Sequence, residues 1–268
     1  MCDGSETEGS GSPSRSAREV FGERVDRYSE IDVFSEERFY RPLFDMAAPA
    51  AGERVLDLAA GTGLLSLMIA RTASEVVTAD VTPEMLAKAR GRVAAAGAGN
   101  ISFAEAGVPE LPFPDEAFDL VVCRLAFHHF PEPGAALAEI SRVLRPGGRF
   151  VMEDVFGPDD PAIRKKREQL EKLFDPSHVR AYSPEELRSL LGDAGFSVAR
   201  ELEPHTERLA VDFILKLHKV EDPEDRDAIV RLLRENIDTD LGGFHASDID
   251  GELSLTWCTI IIAAVRER

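Results

Sequence analysis

The sequence predicts an α/β fold built on a doubly wound, mostly parallel sheet, and three observations carry that prediction. Strand-like apolar runs alternate with helical patterns over most of the chain, which within one sheet requires right-handed crossovers. Val55-Leu56-Asp57-Leu58-Ala59-Ala60-Gly61-Thr62-Gly63 is an apolar run that ends in a carboxylate and a tight glycine turn, the form of a nucleotide-type strand-to-helix crossover. One crossover later Glu75-Val76-Val77-Thr78-Ala79-Asp80 repeats the pattern, again ending in an acid. With 268 residues, 44% of them hydrophobic, the chain is long enough to bury one sizeable core.

The elements follow in order. Residues 1–17 hold almost nothing to bury and no apolar core of a signal peptide, and are expected to form a disordered tail. Strands are expected near 54–58, 75–80, 101–104, 118–123 and 149–153. Helices are expected near 64–71, 83–96 and 134–144. Thr82 is placed to cap the second helix, Pro83 to open it and Glu84 to favour its dipole. Leu137, Ile140, Val143 and Leu144 give the third helix one apolar face, and Pro146-Gly147-Gly148 is a stop. Beyond the fifth strand, Asp159–Leu173 reads as a helix and Ser183–Leu191 as another, with Ser183 and Glu186 forming a capping box; Phe196–Leu202 reads as a strand. Segments 207–218 and 224–236 read as further helices before a terminal strand near 254–265.

Composition limits the partners. Lys and Arg number 31 against 49 Asp and Glu, a net charge of −18, which opposes nonspecific binding to nucleic acid or anionic lipid. Three separated cysteines suggest neither a disulfide framework nor a zinc site, and no metal-ligand spacing is found elsewhere. Trp257–Val265 is too short to span a bilayer and reads as a buried strand. A cytoplasmic protein is expected; its oligomeric state is not encoded in these patterns.

Asp57 decides which ligand the glycine turn serves. A pyrophosphate site wants glycines spaced G-x-G-x-x-G, but Ser66 takes the third position, and a carboxylate at the strand end repels phosphate. The same carboxylate suits a ligand ammonium, held directly or through water, so an amino-acid-bearing nucleoside is favoured over NAD.

The segment resembles motif I of the class I S-adenosylmethionine-dependent methyltransferases, with Ala59 in place of the first motif glycine. Such Asp-x-Ala-x-Gly-x-Gly versions are similar to the small-molecule, quinone C-methyltransferase-like branch. Phe118–Arg124, His128-His129-Phe130, Leu144-Arg145-Pro146-Gly147-Gly148 and Asp175–Tyr182 extend the resemblance over most of residues 18–203. It implies a Rossmann-like, seven-stranded sheet whose C-terminal strand is antiparallel, spanning 18–268, with 204–250 as a helical cap inserted over the substrate. It implies S-adenosylmethionine as cofactor, with Asp57, Ala59, Gly61, Gly63, Asp80, Met85, Gly107, Val108, Arg124 and Tyr28 in or bordering its site. Asp80 would accept hydrogen bonds from both ribose hydroxyls and reject a 2′-phosphate. Met85 reads equally as an adenine contact or as one member of a Met85/Leu86/Ala89/Val93 packing face. Phe21 and Tyr28 resemble a helix that closes over the cofactor, or else form an aromatic pair packing that helix onto the sheet.

One departure stands out: where the family carries an aspartate for the adenine amino group, this chain has Gly107. The reaction implied is in-line displacement of a methyl group onto an oxygen, nitrogen or carbon of a small-molecule acceptor. His128, His129 and His178 are the candidate bases. Each also has a plain alternative, His128 and His129 holding a loop by backbone hydrogen bonds, and His178 with Arg180 either binding an acidic group or lying in a solvated loop. Arg164-Lys165-Lys166-Arg167 reads as a solvent-facing helix surface. Two other functions fit the same fold: an S-adenosylmethionine-binding enzyme with non-methyl-transfer chemistry, and a catalytically silent binding module suggested by Gly107.

Overall fold

The computed structural model describes residues 15–30, 36–238 and 244–268, without the side chains of 28–30, 203–207 and 257. Its strands are β1 (Arg54–Leu58), β2 (Glu75–Asp80), β3 (Ile101–Glu105), β4 (Phe118–Arg124), β5 (Leu144–Val155), β6 (Phe196–Ala210), β7 (Ser247–Ile249) and β8 (Glu252–Arg266). They form one sheet in the order β3-β2-β1-β4-β5-β8-β6, with β7 paired to β8 off that path. β8 runs antiparallel to both β5 and β6, while the β1, β2, β3, β4 and β5 pairs are parallel. The expected seven-strand topology with an antiparallel C-terminal strand is therefore present, with a short hairpin strand added.

Helices α2 (Arg41–Ala47) and α3 (Leu64–Ala70) cover one face of the sheet. Helices α5 (Pro133–Val143) and α7 (Pro184–Asp193) cover the other. Strand alternation sorts the core: Val55 points to the first face, Leu56 and Leu58 to the second. Asp57 thus shares a face with α3. Helix α1 (Ala17–Glu30) packs on α4 (Pro83–Ala96) at the carboxyl ends of the strands. Helices α6 (Pro161–Phe174), α8 (Val211–Leu217) and α9 (Pro223–Glu235) share a third apolar core with Phe244, Leu253 and Leu255.

Several boundaries differ from expectation, each for a local reason. Residues 1–14 of the expected tail lie outside the described residues; at its end Ser16 caps α1, exchanging hydrogen bonds with Glu19. Helix α5 stops at Val143, and Pro146-Gly147-Gly148 lies inside β5, because Leu144 already pairs with Phe118 before a bulge. β6 continues to Ala210, where helix was expected from 207, because its pairing with β8 runs on to Ala210–Ser254. Thr82 sits at the N-cap of α4 without capping it; its own N–H is taken by Asp80 instead. Arg167 is not solvent-facing: it is buried, with its guanidinium over Phe244 and paired with Glu171. The capping box of Ser183 and Glu186 is present. Among the described residues no helix is long and apolar enough to cross a membrane.

Candidate active site

A cavity of about 710 Å³ opens at the carboxyl ends of β1, β2 and β4, roofed by α1. This is where a doubly wound sheet binds ligands, because the strand order reverses there. Its floor is the β1 turn. Asp57 is fully buried and accepts a hydrogen bond from Ser66 Oγ at 2.5 Å, and Ser66 in turn accepts from Thr78 Oγ1 at 2.8 Å. The residue that breaks the dinucleotide glycine pattern is thus the partner that holds the carboxylate. Burial, offset in part by Ser66, pushes the Asp57 carboxyl up to about 7.

Asp80 closes the opposite wall. Its Oδ2 accepts from the Gly61 N–H and its Oδ1 from the Thr82 N–H, both at 2.8 Å. The two N–H groups hold the carboxylate oxygens in a fixed orientation at the turn. Burial raises its pKa as well. Ala59 holds a left-handed φ of 54°, a conformation that glycine adopts without steric cost.

Met85, Val81, Gly107 and Val108 form the next stretch of lining. A Cβ built on Gly107 would lie 2.3 Å from Val81 Cγ1, so Val81 fills the room that a side chain at 107 needs. Tyr40 and Arg124 lie near the floor: the guanidinium stacks on the Tyr40 ring, pairs with Glu153 at 2.9 Å and donates to Phe39 O.

The far end carries the histidines. His129 Nδ1 lies 3.1 Å from Ser177 O, an atom that only accepts, so Nδ1 bears the proton and Nε2 is the bare nitrogen. Burial and the neighbouring His128 lower its pKa to about 3. His178 Nε2 lies 2.7 Å from Glu168 Oε2 and donates to it, so in the neutral ring Nδ1 is the acceptor nitrogen. His128 pairs its Nδ1 with Asp154 at 2.6 Å. Burial opposes its protonation, but Asp154 outweighs burial and its pKa is raised. His128 lies behind the cavity, on a separate small space that His178 also borders.

Of the residues singled out from sequence, Asp57, Ala59, Gly61, Asp80, Met85, Gly107, Val108, Arg124, His129 and His178 line the one cavity. Gly63 does not: it is the left-handed N-cap of α3, and a Cβ there would meet Ala89 Cβ at 2.9 Å. Its glycine serves helix packing. Tyr28 belongs to α1, but its side chain lies outside the described residues. The solvated-loop alternative for His178 fails, since the ring is buried. Tyr40, Ser177 and Glu168 were missed; Tyr40 and Glu168 lie outside the quoted motifs, and Ser177, though inside Asp175–Tyr182, acts through its backbone carbonyl, which no residue pattern marks. Among the described residues no group of three or more His, Cys, Asp or Glu is placed to hold a metal ion.

Comparison with known proteins accords with this geometry. Residues 56–152 match the family described as "Methyltransferase domain". The chain is 36% identical to a demethylmenaquinone methyltransferase of Thermus thermophilus, over 68% of this chain and 94% of that one. It is 35% identical to the uncharacterized methyltransferase YcgJ of Bacillus subtilis, over 63% of this chain and 67% of the relative. The crystal structure of the YcgJ protein superposes with a TM-score of 0.80 at 27% identity, covering 85% of this chain and 97% of that one.

Proposed function

The chain belongs to the S-adenosylmethionine-dependent methyltransferase family, and from that premise we propose that it methylates a small-molecule acceptor bearing a hydroxyl, beside or at the atom methylated. The observation that carries the reading is one cavity with two buried carboxylates and a cation at one end and the imidazoles of His129 and His178 at the other.

The donor set fits the cofactor. Asp80 presents paired acceptors to vicinal ribose hydroxyls, and Asp57 and Arg124 offer opposite charges to a zwitterionic amino-acid end. Met85, Val81, Ala106 and Val108 give the adenine an apolar slot, with backbone groups in place of the absent carboxylate at Gly107. Bound there, the cofactor supplies a methyl group already activated on a sulfonium, so the protein contributes orientation and water exclusion.

Phe21, Phe130 and Val179 shield the acceptor end. His129 accepts a hydrogen bond at Nε2 and stays neutral at pH 7, which orients a hydroxyl without taking its proton. His178, backed by Glu168, takes that proton at Nδ1 where the acceptor needs one removed. The demethylmenaquinone methyltransferase relative makes a hydroquinone the first acceptor to try.

Labelled-methyl transfer from S-adenosylmethionine to hydroquinones, phenols and amines tests this. His178→Gln is expected to lower kcat by about 10²–10⁴-fold while S-adenosylhomocysteine affinity is kept. A full kcat in both His178→Gln and His129→Gln would contradict the assigned roles.

A further inference from the structure

Arg24 is a buried cation that this chemistry leaves unused. It lies on α1, whose residues Ala17, Arg18 and Phe21, with Arg15 just before the helix, roof the cavity. Its Nη1 lies 3.2 Å from Asp175 Oδ2 and 3.5 Å from His218 Nδ1, and its Nη2 donates to Phe174 O at 3.1 Å. Asp175 Oδ1 accepts from the Ser177 N–H at 2.9 Å and from its Oγ–H at 2.6 Å. Ser177 O then holds the Nδ1–H of His129. An ion pair followed by hydrogen bonds therefore links α1 through Asp175 and Ser177 to an imidazole in the cavity. One turn before Arg24 on the same helix, Phe21 sets its ring edge-on to that imidazole, with centroids 5.1 Å apart.

The energetics argue against a merely cohesive role. Taking both charges out of water costs several kcal/mol per ion, and apolar residues of similar volume hold two elements together as well or better. What an apolar pair lacks is direction. A guanidinium with one arm on a carboxylate and the other on a backbone carbonyl fixes both the seat of the helix and the orientation of the carboxylate.

We propose that the Arg24–Asp175 pair is a latch that seats α1 over the cavity and, through Ser177, holds His129 as its Nδ1–H tautomer. Arg24 and Asp175 are then positioning residues for methyl transfer. The inference rests on the cavity being the cofactor site, and its test separates the two claims.

The test uses the full chain as wild type, Arg24→Met, Arg24→Lys, Asp175→Asn and the Arg24→Met/Asp175→Asn double variant. The readouts are the release rate of S-adenosylhomocysteine and the ¹⁵N signals of His129. Each removal is expected to speed release about tenfold, with the double variant no faster than either single one, because both break the same link. Arg24→Lys is expected to recover most of the loss, and His129 to lose its single-tautomer signature in Arg24→Met and Asp175→Asn. Release within about twofold of wild type in every folded variant, or effects that multiply in the double variant, would overturn the latch. If Arg24→Met fails to fold, Asp175→Asn and Arg24→Lys still decide. A wild type that binds no S-adenosylhomocysteine sinks the functional reading, and the latch then stands or falls on the His129 signals alone.

Discussion

Asp57 shows how one buried side chain can carry a cost in stability. Its carboxyl is pushed up to about 7 by burial, so between about pH 4 and 7 the folded protein holds a proton that the unfolded chain has released. The contribution of Asp57 to stability therefore falls as pH rises through that window. At pH 8, Asp57→Asn should be more stable than wild type by on the order of 4 kcal/mol, with the difference vanishing near pH 4. Urea unfolding at the two pH values reads this directly, and a difference independent of pH would contradict the burial argument. A ligand ammonium reverses the balance by ionising the carboxylate: S-adenosylhomocysteine binding is expected to release close to one proton at pH 6 and almost none at pH 9. Calorimetry in buffers of different ionisation enthalpy measures that release. Asp57 and Asp80 were readable from sequence because strand-end acids beside a glycine turn have few other uses. The Ser66 hydroxyl that holds Asp57 was read only as a missing glycine, since its partner is fixed by strand alternation and not by spacing.

At the scale of elements, a glycine's role depends on what faces it. Gly63 and Gly61 look alike in the motif, and both have positive φ, yet only Gly63 is packed, with Ala89 of α4 directly against it. Gly61→Ala, with open space around it, should cost about 1–2 kcal/mol for its positive φ alone, and Gly63→Ala more, because Ala89 must also give way. Thermal or urea unfolding tests the contrast, and adding Ala89→Gly should return part of the Gly63→Ala loss. Central strands and amphipathic helices were readable because their apolar periodicity is unambiguous. The ends of β5 and β6 were not, because pairing with β4 and β8 extended them through sequence that looks like turn or helix. β7 was hidden inside a span read as cap, although Asp250-Gly251, both at positive φ, is a hairpin-turn signal.

Over the whole molecule, the sheet brings a floor contributed by β1 and β2 together with histidines from the β4 exit and the loop after α6. The floor is local in sequence and was found there. The support behind the far wall is not: Arg24, Asp175 and His218 reach each other only through the docking of α1 and α8 against the loop after α6, and no short motif records it. In a protein of net charge −18, Arg124 is a half-buried cation held by Glu153 and the Tyr40 ring. Calorimetric titration with S-adenosylmethionine and S-adenosylhomocysteine, with NAD as control, tests the assignment most directly. The account predicts micromolar-range binding of both sulfur ligands, its loss in Asp80→Ala, and no heat with NAD. NAD binding, or sulfur-ligand binding unchanged in Asp80→Ala, would contradict it.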